Sequence, residues 1–266
     1  MRILPICRTE LVDFSSLRKL FAHLPALIPS SCALCGLRAK QVLCDACRTQ
    51  FFYADTARCT CCALPLTFAP DAVAAPVCGA CLSNPPAFDA TIVATDYLVP
   101  VDQLVLELKF GGRLALAAQF GALLRDAVLW SHTGLHTASD HDHTLPTCLV
   151  PVPLSPQRLQ QRGFNQSLEI ARPLARHLGV PVLAHSMERV RDTRPQSELP
   201  VSARRQNMRD AFIVRAESVT LMAGRHVGVV DDVMTTGETL HELATTLKRS
   251  GARRVTNLVF ARTLPR

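Results

Sequence analysis

The sequence predicts an α/β domain whose mostly parallel sheet is covered by helices on both faces, preceded by a small cysteine-rich module. Three observations support this prediction. Apolar strand-like segments alternate with amphipathic helical segments from residue 90 onward, a pattern typical of parallel sheets buried on both faces. Eight cysteines occur between residues 32 and 81 as four C-x-x-C pairs. The 266 residues are 48% hydrophobic, enough for one domain with a large core and a second, smaller one.

Residues 1–30 are predicted to form a lead-in segment with one short helix. Leu17, Leu20 and Leu24 lie at helical spacing between Ser15 and Leu27, which indicates an amphipathic helix that packs on the neighbouring domain. The N-terminus lacks the features of an export signal, and no apolar run approaches 18 residues. We therefore expect a cytoplasmic protein without a membrane span.

Residues 31–86 are predicted to form a double zinc ribbon. A two-residue gap lets both thiolates of a pair face one ion, and two pairs complete a closed tetrahedral site of the structural kind. The predicted ligands are Cys32, Cys35, Cys44, Cys47, Cys59, Cys62, Cys78 and Cys81. Four pairs can combine in three ways, of which sequence order is the simplest. A disulfide framework is the alternative, but it requires an oxidising compartment.

Residues 87–266 are predicted to form the α/β domain, because Asn84-Pro85-Pro86 is typical of a linker. Apolar runs predict strands over 90–95, 148–152, 181–184, 211–214, 227–230 and 255–261. Helical spacing of apolar residues predicts helices over 101–108, from there to about 130 after a glycine break, and over 166–178 and 238–249. Strands and helices in alternation predict the parallel sheet.

The basic residues are concentrated in the second half of the chain. Residues 1–150 contain 11 Lys and Arg against 12 Asp and Glu, whereas residues 151–266 contain 18 against 10. Arginine supplies 25 of the 29 basic residues, and its planar fork of donors suits phosphate. The composition therefore predicts a phosphorylated ligand or a nucleic acid as the partner of the second half.

The segment 227–240 is the most specific functional signal. It combines an apolar strand, two carboxylates (Asp231 and Asp232), a turn of small residues and the start of a helix. Ligands of open α/β sheets bind at the carboxyl ends of strands, and a helix N-terminus suits a phosphate. Gly237 would permit a tight turn. The carboxylates would face hydroxyl groups of the ligand or a bridging divalent cation, which together indicates a hydroxylated ring with a terminal phosphate.

This segment resembles the phosphoribosyl pyrophosphate (PRPP) loop of type I phosphoribosyltransferases. Together with the four C-x-x-C pairs and four further motifs, it makes residues 31 to about 264 similar to the ComF family, whose members include ComFC-like competence proteins. The further motifs are Leu108–Arg113, Val150–Leu154, Arg162–Gln166 and Arg191–Gln196. The resemblance implies the type I phosphoribosyltransferase fold for the α/β domain.

The resemblance also implies a role for each residue of the loop. The residues implied to bind PRPP are Asp231, Asp232, Val233, Met234, Thr235, Thr236, Gly237, Glu238 and Thr239. The acidic pair would contact the ribose 2′- and 3′-hydroxyls, and the threonines with Gly237 would surround the 5′-phosphate. Glu238 stands where relatives often have a small residue.

Five basic residues are further candidates, for the pyrophosphate or for a loop that closes over the site. Arg158 and Arg162 follow the first core strand, where these enzymes hold pyrophosphate, and Lys109 precedes a glycine pair. Arg204 and Arg205 lie in the stretch that corresponds to the closing loop. A solvated basic face is the alternative for the arginines, and a helix C-terminus is the alternative for Lys109.

The implied activity is Mg²⁺-dependent displacement of pyrophosphate from C1 of PRPP by an unidentified nucleophile. Two other hypotheses stay open: a non-catalytic module that binds single-stranded DNA, and a PRPP sensor without turnover. ComF relatives are linked to natural transformation, so the family resemblance implies DNA or the competence machinery as a partner. The sequence does not indicate the oligomeric state.

Overall fold

A computed structural model describes residues 30–52, 56–66, 76–132, 145–190 and 211–265. Most of the predicted lead-in segment lies outside the described residues, and so do Arg204 and Arg205. By contacts the chain divides into two compact units, residues 1–44 and 45–266. The predicted domain limits at residues 30 and 86 stay predictions.

The described residues form eight strands and eight α-helices. The strands are β1 (Ser30–Ser31), β2 (Arg38–Ala39), β3 (Ala90–Asp96), β4 (Cys148–Pro151), β5 (Met187–Arg189), β6 (Phe212–Val214), β7 (His226–Met234) and β8 (Arg254–Arg262). The helices are α1 (Asp45–Phe52), α2 (Gly79–Ser83), α3 (Val101–Phe110), α4 (Ala115–His132), α5 (Pro156–Arg162), α6 (Gln166–Leu178), α7 (Val219–Met222) and α8 (Glu238–Arg249). A 3₁₀ turn spans Ala216–Ser218. Among these helices none is both long and apolar enough to cross a bilayer.

The main sheet has four parallel strands in the order β3-β8-β7-β4. β7 and β8 occupy its centre and are almost entirely buried, as expected for valine-rich strands covered on both faces. The register places Val229 beside Val150 of β4 on one side and Asn257 of β8 on the other. The predicted parallel α/β architecture is confirmed.

Helices cover both faces of this sheet. On one face, the Phe260 ring of β8 stacks on Phe120 of α4 with centroids 3.5 Å apart. On the other face, Val259 belongs to the same buried cluster as Leu243 of α8, because neighbouring residues of a strand point to opposite faces. Helices α4 and α6 pack closely at Gly121, where a Cβ atom would lie 2.8 Å from Pro173 Cγ.

The structure differs from the predicted elements after β4. Residues 181–184 form no strand and join the sheet by a single bridge between Leu149 and Val182, with two backbone hydrogen bonds at 2.8 and 2.9 Å. The segment predicted as strand 211–214 is β6, which pairs antiparallel with β5 outside the main sheet. Short apolar runs have no periodicity that identifies their partner strand. The sequence therefore does not predict that β6 pairs with β5.

Candidate ligand site and metal centres

The eight predicted zinc ligands form two groups, paired in sequence order. The first group is Cys32, Cys35, Cys44 and Cys47, and the second is Cys59, Cys62, Cys78 and Cys81. Within each group the Sγ atoms all lie within 4.8 Å of one another, and one Sγ–Sγ pair in each is 3.7 Å apart. That distance matches the edge of a tetrahedron with Zn–S bonds of about 2.3 Å, which is about 3.8 Å. It is far longer than a disulfide of about 2.05 Å, and these cysteines are free.

Backbone N–H groups are directed at the sulfur atoms. Cys44 N–H donates to Cys32 Sγ at 3.4 Å, and Cys78 N–H donates to Cys59 Sγ at 3.3 Å. Burial raises the pKa of the Cys59 thiol, but the backbone hydrogen bonds outweigh burial and leave its pKa below the usual value. The thiolate is the form that binds metal. Both groups therefore fit structural zinc.

The second group is built into the edge of the main sheet. Thr91 N–H of β3 donates to the Thr60 carbonyl inside the Cys59–Cys62 turn at 3.2 Å. Arg262 Nε of β8 donates to the Cys62 carbonyl at 2.9 Å. Cys59 and Cys62 also belong to the apolar cluster that contains the strand residues of β7 and β8. The turn that holds two zinc ligands is thus packed on the α/β domain.

Asp231 and Asp232 lie near the carboxyl end of β7 and are 9% and 3% exposed. Ser167 Oγ donates to Asp231 Oδ1 at 2.9 Å. Gln166 Nε2 donates to Asp232 Oδ1 at 3.4 Å, and Lys109 Nζ forms an ion pair with Asp232 Oδ2 at 2.6 Å. Residues from α3, α6 and β7 are therefore brought together around two adjacent carboxyl groups.

The two carboxyl groups differ in acidity. Burial and the neighbouring Asp232 carboxylate raise the pKa of Asp231 to about 8. Burial also acts to raise the pKa of Asp232, but the Lys109 ammonium group outweighs it, and the pKa of Asp232 is lowered. The site therefore holds one protonated and one ionised carboxyl near neutral pH. A protonated Asp231 and an ionised Asp232 can donate and accept hydrogen bonds side by side.

A tight turn connects β7 to α8. Thr235 and Thr236 are exposed, whereas Gly237 is buried and has φ +87°. The backbone conformation at this position requires glycine; a Cβ atom at Gly237 would also lie 2.6 Å from Met234 Cε, the flexible end of a side chain that would have to shift. His241 N–H donates to the Gly237 carbonyl at 2.8 Å, which makes Glu238 the first residue of the helix.

The N-terminus of α8 has the chemical features of an anion site. The first-turn N–H groups of an α-helix have no intrahelical acceptor and suit a phosphate group. Thr239 lies in this first turn beside the half-buried Glu238. Val233, which is half-buried, and Met234, which is buried, complete β7 before the turn. The acidic pair and the anion site are thus separated by a few residues of one chain segment.

The predicted arginines of this region, Arg158 and Arg162, lie on the short helix α5. Arg158 is in the first turn, where its N–H donates to Ser155 Oγ at 3.4 Å. Arg162 Nη1 donates to Gln166 Oε1 at 2.5 Å, and its guanidinium lies 5.3 Å from the centroid of the Phe110 ring. Burial lowers the pKa of Arg162, and the charge of Asp232 opposes this effect. Arg162 thus belongs electrostatically to the acidic site.

Sequence reasoning missed Gln166, Ser167 and the residue that positions both. Asn165 caps α6 by accepting from Ser167 N–H at 3.0 Å, and its Nδ2 donates to the Val152 carbonyl at 3.0 Å. The cap fixes the start of α6 against the end of β4, which directs both side chains at the acidic pair. The available signal was the Arg162–Gln166 motif, in which an asparagine precedes an apolar-periodic helix.

Comparisons with known proteins agree with this architecture. Residues 165–264 match the phosphoribosyl transferase domain, and residues 23–82 match the double zinc ribbon domain. Fold and site therefore define a zinc-ribbon protein with a phosphoribosyltransferase domain.

Three curated relatives are similar over much of their length. DNA utilization protein YhgH of Escherichia coli (strain K12) is 34% identical over 89% of this chain and 99% of its own. YhgH of Salmonella typhimurium is 38% identical over 70% of this chain and 78% of its own. Competence protein F of Haemophilus influenzae is 33% identical over 67% of this chain and 75% of its own. The chain belongs to the ComF family, which these relatives represent.

Proposed function

We propose that the chain binds PRPP together with Mg²⁺ at the carboxyl end of β7. The observation that supports this proposal is a buried pair of carboxyl groups directly before a glycine turn and a helix N-terminus. A ribose phosphate offers the two matching chemical groups, vicinal hydroxyls for the carboxyl groups and a phosphate dianion for the helix N-terminus. The match to a phosphoribosyl transferase domain covers this whole segment.

Each part of the site would bind one part of the ligand. Asp231 and Asp232 would contact the ribose 2′- and 3′-hydroxyls, with Mg²⁺ held through the same oxygens or by the ligand. The N–H groups from Thr235 to Thr239 would bind the 5′-phosphate. Arg158 and Arg162 would neutralise the pyrophosphate, since guanidinium groups form paired hydrogen bonds with phosphate.

Lys109 would act as the counter-ion of Asp232 in the absence of ligand. A carboxylate that is 3% exposed requires a partner charge, and Lys109 Nζ supplies it at 2.6 Å. When a ligand engages Asp232, the lysine would be released toward the phosphates. Lys109 is the last but one residue of α3, which ends at Phe110 just before two glycines, and these glycines would let the end of the helix follow this movement.

The proposed reaction breaks the bond between C1 and the pyrophosphate oxygen and forms a bond between C1 and the acceptor. The electron pair of the broken bond leaves with pyrophosphate, whose charge Mg²⁺ would help to neutralise. The residues of this chain would catalyse by positioning and by stabilising the leaving group. A PRPP sensor would use the same site and omit the bond-breaking step.

Calorimetric titration with PRPP and Mg²⁺ tests the binding proposal. Wild type is expected to bind, and the Asp231→Asn/Asp232→Asn variant is expected to lose most of the affinity. Asp126→Asn is the control, because Asp126 lies on α4 in ion pairs with Arg48 and Arg125. No binding by folded wild-type protein with about two zinc ions per chain would contradict the proposal. Pyrophosphate release with candidate acceptors then separates an enzyme from a sensor.

We also propose a cytoplasmic role in DNA uptake, with single-stranded DNA as a partner. Curated relatives carry the names DNA utilization protein and competence protein, and residues 151–266 contain 18 basic against 10 acidic residues. Thiolate zinc sites are typical of reducing compartments. Anisotropy titration of a labelled single-stranded oligonucleotide tests this role. Affinity should fall steeply between about 50 and 200 mM salt, and a salt-independent signal would contradict it.

A further inference from the structure

Arg262, at the end of β8, contacts both the second cysteine group and the segment that connects β7 to α8. We call residues 235–237 of this segment the ligand turn. Arg262 is 5% exposed. Its Nη1 donates to the carbonyl oxygens of Met234 and Thr263 at 3.0 Å each and to the Thr235 carbonyl. Its Nε donates to the Cys62 carbonyl at 2.9 Å. One guanidinium group therefore holds the end of β7, the first residue of the turn and the backbone of a zinc ligand.

The Cys62 carbonyl belongs to the backbone of a predicted zinc ligand. Cys62 closes the Cys59–Cys62 turn, in which Cys62 N–H donates to Cys59 Sγ at 3.5 Å and Ala63 N–H to the Cys59 carbonyl at 2.8 Å. The remaining two ligands come from a separate segment that contains α2. A structural zinc ion would join these two segments and fix their backbones relative to each other. Loss of zinc would therefore release the carbonyl that Arg262 binds.

A second contact connects the same region to the ligand turn. Phe88, which follows α2 in the chain, is 4% exposed and lies in one apolar cluster with Met234, Cys59 and Cys62. Its ring is 3.8 Å from the Cβ position of Gly237. The turn is thus held by Arg262 through hydrogen bonds, and the Phe88 ring lies beside it in the same buried cluster as Met234.

We propose that the second zinc site positions the ligand turn through Arg262, so that zinc in this site is required for phosphate binding by the turn. This inference takes PRPP as the ligand from the proposed function. The link between the second zinc site and the turn does not depend on it. Arginine is suited to this role because its rigid planar fork donates in several directions at once. A lysine has a single nitrogen in place of the two separate atoms, Nε and Nη1, that bind the Cys62 carbonyl and the turn. Arg262 is a positioning residue, because its described hydrogen bonds go to backbone carbonyls of the turn and of a zinc ligand.

Hydrogen exchange without PRPP tests the coupling directly. In Arg262→Met and Arg262→Lys, exchange at residues 234–240 is expected to rise about tenfold, the change that follows loss of a charge-assisted hydrogen bond. Exchange at the centre of β7 should stay unchanged. Arg254→Met is the control, since Arg254 begins the same strand at its opposite end. Zinc release to a colorimetric chelator should be faster by about tenfold from the second group only.

The wild-type chain supplies an independent arm. Stepwise removal of zinc should increase hydrogen exchange at residues 234–240 when the ion of the second group leaves. Cys32→Ser, which affects the first group, should leave exchange at these residues unchanged. If Arg262→Met fails to fold, this arm and Arg262→Lys decide the matter. Unchanged exchange at 234–240 after loss of the second zinc would overturn the proposal.

Titration with PRPP separates this inference from the proposed function. If wild type binds PRPP, both Arg262 variants should bind about tenfold more weakly while keeping the pH profile of binding, because the acidic pair is unchanged. If wild type does not bind PRPP, the proposed function fails, and the exchange experiment still decides whether the second zinc site holds the turn. Full PRPP affinity in Arg262→Met would overturn the inference.

Discussion

The two cysteine groups share one ligand pattern but differ in what surrounds them. The first group is organised by short local contacts, in which Cys32 N–H donates to Leu37 and Cys44 N–H to Cys32 Sγ. The second group is part of the sheet core, and the Cys62 carbonyl accepts from Arg262 of β8. A structural zinc site therefore stabilises its own turn in one case and a distant ligand turn in the other.

The largest expected effect is the loss of stability when one cysteine of either group is replaced. Cys59→Ser should lower the unfolding free energy of the α/β domain by at least about 3 kcal/mol, or roughly 6–12 °C of melting temperature, because it releases a zinc packed on the sheet. Cys32→Ser should leave the main transition close to that of wild type. Calorimetric melting with zinc content measured on the same samples checks both. Equal losses in the two variants would break the comparison.

Gly237→Ala should have the next largest effect. The φ of +87° is strained for alanine, and the new Cβ would lie 2.6 Å from Met234 Cε. The strained backbone should cost about 1–2 kcal/mol in unfolding free energy. Displacement of the flexible Met234 side chain should add a smaller loss and weaken PRPP binding. Urea unfolding and PRPP titration check this.

Gly179→Ala is the matched control for Gly237→Ala. Gly179 ends α6 at φ +69° with open space around its Cβ position, so it tests backbone strain alone at about 1 kcal/mol. Equal losses would mean that the packing beside Phe88 adds nothing. The difference between the variants therefore measures how tightly the turn is held on the side of the second group.

The sheet and the zinc ligands could be predicted from the sequence, but the surroundings of the acidic pair could not. Spacing alone identifies four C-x-x-C pairs, and apolar runs identify β7 and β8, because both signals are local. The contact between Lys109 and Asp232 joins residues 123 positions apart. The link from Arg262 to Cys62 spans 200 positions. Such contacts depend on the order of strands in the sheet, which local patterns do not encode.

The pH dependence of stability gives a smaller effect with a definite sign. The pKa of Asp231 is about 8 in the folded chain, against an ordinary 3.8. Between these values the folded chain keeps a proton that the unfolded chain has released, so the unfolding free energy falls as pH rises and levels off above about 8. Asp231→Asn lacks this dependence. Melting curves from about pH 5 to pH 8 should show wild type losing stability relative to the variant.

The pH dependence of stability can also be compared after loss of each zinc, with Cys32→Ser removing the zinc of the first group. Asp231 lies on β7, three residues before the end of the strand that Arg262 holds. The variant should therefore keep the wild-type pH dependence, whereas loss of the second zinc should reduce it by admitting water to the carboxyl. A parallel, pH-independent shift in both cases would show that the acidic pair does not sense either group.

The smallest expected effect compares two ion pairs, each made by an arginine next to a cysteine ligand. Arg48 follows Cys47 and pairs with Asp126 at 3.3 Å, whereas Arg58 precedes Cys59 and pairs with Asp96 at 2.8 Å. All four side chains are about one-fifth exposed, so each pair contributes about 0.5–1 kcal/mol.

The Nη1 atom of Arg58 also donates to the Ala63 carbonyl at 3.1 Å. Ala63 follows Cys62 and has φ +58°, a conformation that needs support from its neighbours. Arg58→Ala should therefore cost about 1–2 kcal/mol in unfolding free energy and speed zinc release from the second group, whereas Arg48→Ala should not speed release from that group. Urea unfolding and a zinc-release assay on the two variants check this. If zinc release from the second group is unchanged in Arg58→Ala, its turn is held by Arg262 and the sheet without help from Arg58.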